Sequence, residues 1–177
     1  MLAGHPDYPH HDVYEDDDTI AFLARYPTLP GYCLVAPKRH VESWVHDLDE
    51  TQFLRLQSVV HQVARAREAT VPTERMYALS LGSQQANAHL HWHVAPLPPG
   101  VPYDQQQFRA LMAENGVLHA DDDAQAALAR AISNHLSEAH KGNRQGLVDI
   151  VSRMAIMSDS RRLRELRSAL APGRFSA

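Results

Sequence analysis

Apolar and polar positions alternate most strictly in the segment Ala88-His89-Leu90-His91-Trp92-His93-Val94-Ala95. Side chains of a strand point to its two faces in turn. A strand over 89–97 therefore displays His89, His91 and His93 on one face, about 7 Å apart in turn, with Leu90, Trp92 and Val94 in a core on the other. A helix would send His89 and His91 in different directions. Upstream, 13–15 starts a first short strand, Asp16-Asp17-Asp18 marks a turn, and 19–26 is rich in β formers. The loop 27–31 holds two prolines and a glycine, and the apolar run 32–36 reads as a buried strand stopped at Pro37. Asp47-x-x-Glu50 resembles a capping box that opens a helix near Asp47. Phe53, Leu56, Val60 and Val63 give that helix one apolar stripe, and Pro72 ends it. A strand is predicted over 76–81 and a polar turn over 82–87. After the histidine strand, Pro96, Pro98, Pro99, Gly100 and Pro102 break the chain. Helices are predicted over 104–114 and 122–140, with a linker at 142–146. Beyond it Leu147, Ile150, Val151, Met154, Met157, Leu163, Leu166 and Leu170 recur at helical spacing, and Arg161, Arg162, Arg164 and Arg167 form a solvated face.

Composition narrows the class. The chain has 177 residues, 44% of them hydrophobic, enough for one domain with an appendage. A net charge of −4 argues against a general binder of nucleic acid polymers. Cys33 is the single cysteine, so neither an internal disulfide nor a cysteine-rich zinc motif is available. No apolar run reaches membrane-spanning length, and the first eleven residues lack a signal-peptide core, so a soluble cytoplasmic protein without membrane attachment is expected. The twelve histidines point to phosphate, metal or proton chemistry. His5, His10 and His11 read as a solvated lead-in, and His46, His61, His119, His135 and His140 as solvated or locally bonded.

The histidine row itself admits three readings. A neutral imidazole attacks phosphorus or an acyl carbon and holds it for one step, while neighbouring rings donate to developing negative charge. His-x-His on a strand is also a way to hold zinc or copper. Three solvated histidines are the third reading. The turn before the row, with Gly82, Ser83, Gln84, Gln85 and Asn87, offers amides and donors to phosphate oxygens as well as ordinary turn chemistry. Lys38 could steer an anionic substrate.

Residues 89–95 match His-φ-His-φ-His-φ-φ, with φ apolar, at every position, and Pro30-Gly31-Tyr32-Cys33-Leu34-Val35-Ala36-Pro37-Lys38-Arg39-His40 looks like a Pro-Gly turn leading through a strand to Pro-Lys-x-His. In this the sequence resembles the histidine triad (HIT) family over residues 13–115, and its His-Leu-His-Trp-His form looks most like the bacterial diadenosine polyphosphate hydrolases. The resemblance implies an α+β fold with an antiparallel sheet of about five strands and a long packed helix. It also implies a homodimer and a site for a nucleotide substrate. It makes His91 the nucleophile on the α-phosphorus, forming a nucleotidyl-His91 that passes to water. A backbone carbonyl beside one ring nitrogen would fix the tautomer. By the same carry-over His93 contacts the phosphate and helps the leaving group, and His89 and His40 complete the network. Substrate contact is expected from Gln85, which lies where relatives carry a glutamine, and, from the polar turn and the positive charge alone, from Asn87 and Lys38. No metal or other cofactor is required. A nucleoside phosphoramidate hydrolase, a metal-dependent hydrolase using the same histidines and a regulatory nucleotide-binding module are the alternatives. The sequence departs from the family in three places. Ala24, followed by Arg25, occupies the slot where relatives hold the ribose with Asp or Asn. An N-terminal Cys-x-x-Cys is missing. A helical extension at 141–177 follows a hydrolase domain at 1–140.

Overall fold

The computed structural model of the chain describes residues 11–82, 87–119 and 121–169. The chain divides into two compact units, Met1–Ser137 and Glu138–Ala177. In the first, five strands build one antiparallel sheet: β1 (Asp12–Glu15), β2 (Thr19–Leu23), β3 (Cys33–Pro37), β4 (Arg75–Leu79) and β5 (Trp92–Leu97), in the order β1-β2-β3-β5-β4. The β1–β2 turn forms because Asp16 Oδ1 accepts the amides of Asp18 and Thr19, at 2.9 and 2.6 Å, an Asx-type turn. β5 lies between β3 and β4, which sets His93 opposite Leu34 on one side and Leu79 on the other.

Helix α1 (Glu50–Thr70) covers one face of this sheet. Its Leu56, Val59, Val60 and Val63 are buried with Ala21, Leu23, Cys33, Val35, Leu90 and Val94. The start of α3 (Asp122–Ala169) adds Ala129, Ile132 and Leu136 to the same core. The opposite face carries a smaller cluster of Leu29, Tyr32, Ala95 and Leu97, packed by Tyr77, Val101, Ala110 and Leu111. Val94 and Ala95 thus belong to different cores, as strand alternation requires. Helix α2 is a single turn (Phe108–Leu111) between two 3₁₀ turns. No helix among the described residues is long and apolar enough to cross a membrane.

Four expectations are corrected. The helix cap is Asp49, not Asp47: Asp49 Oδ1 accepts the Gln52 amide at 2.8 Å, and Gln52 Oε1 accepts the Asp49 amide at 3.1 Å. Asp47 instead holds the preceding turn by accepting the amides of Glu42 and Ser43. The helix over 104–114 is broken because Gln107 adopts φ 59°, left-handed backbone that no helix continues through. The linker over 142–146 is absent, since α3 runs through it; two glycines without a proline raise the cost of a helix but do not stop it. Finally, β5 begins at Trp92 and excludes His89 and His91. His91 turns its ring onto the His89 carbonyl, and Leu90 donates its amide to Val41 at 2.6 Å, so these groups are not available to extend the β3–β5 ladder.

Candidate active site

His91 is nearly buried, 6% exposed, just before β5. Its Nδ1–H donates to the His89 carbonyl at 2.7 Å, which leaves the lone pair on Nε2. Its own carbonyl accepts the Ser80 hydroxyl at 2.8 Å, so both the backbone and the ring are held. The His93 ring lies 4.7 Å away centroid to centroid, inclined by 65°. His93 Nδ1 is 3.0 Å from the Tyr32 hydroxyl, and the two rings meet edge to face at 5.6 Å. Burial, and then the neighbouring His91, pull the His93 pKa down to about 4, and the Leu81 backbone opposes this; Nε2 itself is buried and closes no hydrogen bond of ordinary geometry among the described residues. In the free protein His93 is therefore neutral at pH 7.

His89 is built into the backbone instead. Its Nε2–H donates to the Pro37 carbonyl at 2.9 Å, and its Nδ1 accepts the Val41 amide at 3.4 Å. Burial is the main cause of its lowered pKa. The ring stacks on His40 at 5.3 Å and 18°, while His40 Nε2 reaches Glu42 at 3.1 Å. The triad is thus two pairs, His91 with His93 and His89 with His40, rather than three equivalent rings on a strand. Lys38 pairs with Glu15 at 2.7 Å, and Asn87 is exposed. Gln85 lies outside the described residues, as do Ser83, Gln84, His5 and His10 and the side chains of the arginine-rich tail. Ala24 packs into the smaller cluster beside Tyr32, and its amide donates to the Tyr32 carbonyl at 2.8 Å.

Sequence reading missed Tyr32, Ser80 and Arg67. Arg67 is fully buried and donates to the Gly31 carbonyl at 2.6 Å, the Pro30 carbonyl at 3.2 Å and the Thr70 hydroxyl at 2.8 Å. The signal was present, because 67 follows Val63 by one turn of the apolar stripe. Gly31 has φ +66°, and a Cβ there would overlap the Arg67 guanidinium. Beside it the Cys33 thiol is pushed up to about 12 by burial, so it is neutral and unreactive. Among the described residues no three His, Cys, Asp or Glu side chains converge as metal ligands.

Residues 5–99, more than half of the chain, match the HIT domain family, and the chain belongs to that family. An uncharacterized HIT-like protein of Borreliella burgdorferi is 34% identical over 93 residues, which cover 50% of this chain and 66% of that protein. Protein hit of Bacillus subtilis is 29% identical over 99 residues, 54% of this chain and 66% of that one. The chain thus spans just under two thirds of these curated relatives. Among solved structures, a Hit-like protein involved in cell-cycle regulation from Bartonella henselae, holding an unknown ligand, superposes with a TM-score of 0.59 at 25% identity, covering 73% of this chain and 88% of that one. A hypothetical histidine triad nucleotide-binding protein from Sulfolobus tokodaii superposes with a TM-score of 0.60 at 26% identity, covering 75% of this chain and 87% of that one.

Proposed function

We propose that this chain is a nucleotide hydrolase that cleaves a nucleoside monophosphoryl group from a diadenosine polyphosphate-like substrate through a nucleotidyl-His91 intermediate. The observation that carries this reading is the Nδ1–H of His91 on the His89 carbonyl, which commits Nε2 to nucleophilic attack. Nε2 bonds to the α-phosphorus as the bond to the leaving oxygen breaks, and the electron pair departs on that oxygen. The positive charge gained by the ring is shared with the His89 carbonyl. Water then adds to phosphorus and gives up its proton to the solvent as the P–N electron pair returns to Nε2. His93 donates a hydrogen bond to the phosphoryl group or leaving oxygen. His89 braces the network, and His40, Lys38, Asn87 and Gln85 complete substrate contact. Nucleotide binding is supported by the description of the Sulfolobus tokodaii relative.

A neutral His93 lends a hydrogen bond more readily than a proton. That favours leaving groups that depart as stable oxyanions, such as phosphates, over amines, which must be protonated to leave, so a phosphoramidate is the second choice. A metal-dependent hydrolase is disfavoured because His89 has both nitrogens, and His91 one, engaged on the backbone. We place the catalytic domain at 1–140 and a helical extension at 141–177, in a cytoplasmic homodimer. The dimer is supported by the edge position of β4 and by the exposed Trp44, Val45 and Leu54. His91→Asn tests the assignment. Turnover of a diadenosine polyphosphate should fall by about 10³-fold or more, as when a covalent nucleophile is removed, with nucleotide binding retained. Wild-type turnover should survive a chelator. A variant within tenfold of wild type overturns the role of His91, and loss of activity in chelator overturns the metal-free reaction.

A further inference from the structure

We infer that Tyr32 is a positioning residue that fixes His93 with its proton on Nε2, and that Arg67 holds Tyr32 in place from the other side of the sheet. Its catalytic meaning rests on the function proposed above; its structural content does not. The Tyr32 hydroxyl and His93 Nδ1, 3.0 Å apart, share one hydrogen. Among the described residues neither atom makes a second hydrogen bond of ordinary geometry, so the direction of the bond is decided by what each choice leaves behind. If Nδ1–H donated to Tyr32, the phenolic proton would be buried without an acceptor, and His93 Nε2 would present a bare lone pair. That lone pair would repel the oxygens of a phosphate seated at His91. If Tyr32 donates, its proton is satisfied and Nε2 carries a hydrogen. Burial pushes the Tyr32 hydroxyl up to about 12, so it keeps the proton it donates. His93 Nε2 is buried and closes no hydrogen bond of ordinary geometry among the described residues, while the Leu81 backbone near the ring also favours a ring N–H; Nε2 is then a donor on a ring 4.7 Å, centroid to centroid, from that of His91.

The second half of the device lies behind Tyr32. The two carbonyls immediately before it, Pro30 and Gly31, both end on the Arg67 guanidinium, and no carboxylate pairs with this buried cation in the described residues. Helix α1 supplies Arg67 from the main core, whereas Tyr32 belongs to the cluster on the opposite face. Gly31 lets the two meet: its left-handed backbone makes the turn, and its missing side chain leaves room for the guanidinium. The charge therefore serves as a clamp on the turn that aims Tyr32.

Imidazole nitrogen NMR on the full chain decides the matter without reference to activity. Wild-type His93 should report the Nε2-protonated tautomer. Tyr32→Phe keeps the ring and removes the hydroxyl; it should move His93 toward a mixture of tautomers and lower kcat about tenfold or more while KM stays within twofold. Arg67→Lys should shift His93 the same way by less, and should add little to Tyr32→Phe, since both act through one contact. An Nδ1-protonated His93 in wild type, or an unchanged tautomer in Tyr32→Phe, overturns the inference. Should Arg67→Lys fail to fold, the tautomer in Tyr32→Phe alone decides. A wild type inert toward nucleotides but with the expected tautomer overturns the proposed function instead.

Discussion

His93 ties the chemistry of the site to the stability of the fold. Its pKa in the folded chain is about 4, against an unfolded value of about 6.5. Between those values the unfolded chain holds a proton that the folded chain does not. Stability from this residue is therefore complete above about pH 6.5 and is lost as the pH falls toward 4. The shift of His89 has the same sign. Urea midpoints should drop between pH 7 and pH 5, and His93→Asn should show a shallower drop. An equal slope in the variant would refute the assignment. At this scale the sequence names the reactive atom type, because three imidazoles in one short run are poor core material. It does not name the nitrogen. Which nitrogen of His91 keeps its lone pair depends on the His89 carbonyl, and which nitrogen of His93 is proposed to donate depends on Tyr32, sixty-one residues away.

At the level of elements, the apolar stripe of α1 was legible because a helix on a sheet must repeat its buried positions every three or four residues. Its start was less so. Asp47-x-x-Glu50 and Asp49-x-x-Gln52 both satisfy the capping pattern, and the turn at 42–47 captures the first. Asp49→Ala should cost about 1 kcal/mol and abolish hydrogen-exchange protection of the Gln52 amide. Asp47→Ala should leave that amide protected; its loss there would restore Asp47 as the cap. The strand of histidines shows the opposite effect. Alternation correctly sorted Leu90 and Val94 from His93, but a side-chain bond to the neighbouring backbone took His89 and His91 out of the ladder.

For the whole molecule, the proposed domain limits can be tested by cutting α3. Ala129, Ile132 and Leu136 belong to the main core, so the first turns of that helix are part of the domain and not of an extension. Residues 1–140 should melt cooperatively and retain turnover. Residues 1–121 should not, because losing two large buried aliphatic side chains costs about 2–5 kcal/mol each, most of a typical domain's stability. Circular dichroism melts of the two fragments check this, and an insoluble 1–140 fragment would show that the extension completes the core.

By itself the chain determined the five strands and helix α1, the apolar faces and the chemical identity of the histidines, since these follow from local periodicity and from the side chains' own reactivity. Tertiary structure decided the placement of β5 between β3 and β4, the division of the histidines into two pairs, and the clamp from Arg67 through Gly31 to Tyr32. Those depend on atoms brought together from distant parts of the chain, where several local solutions are equally good until packing selects one.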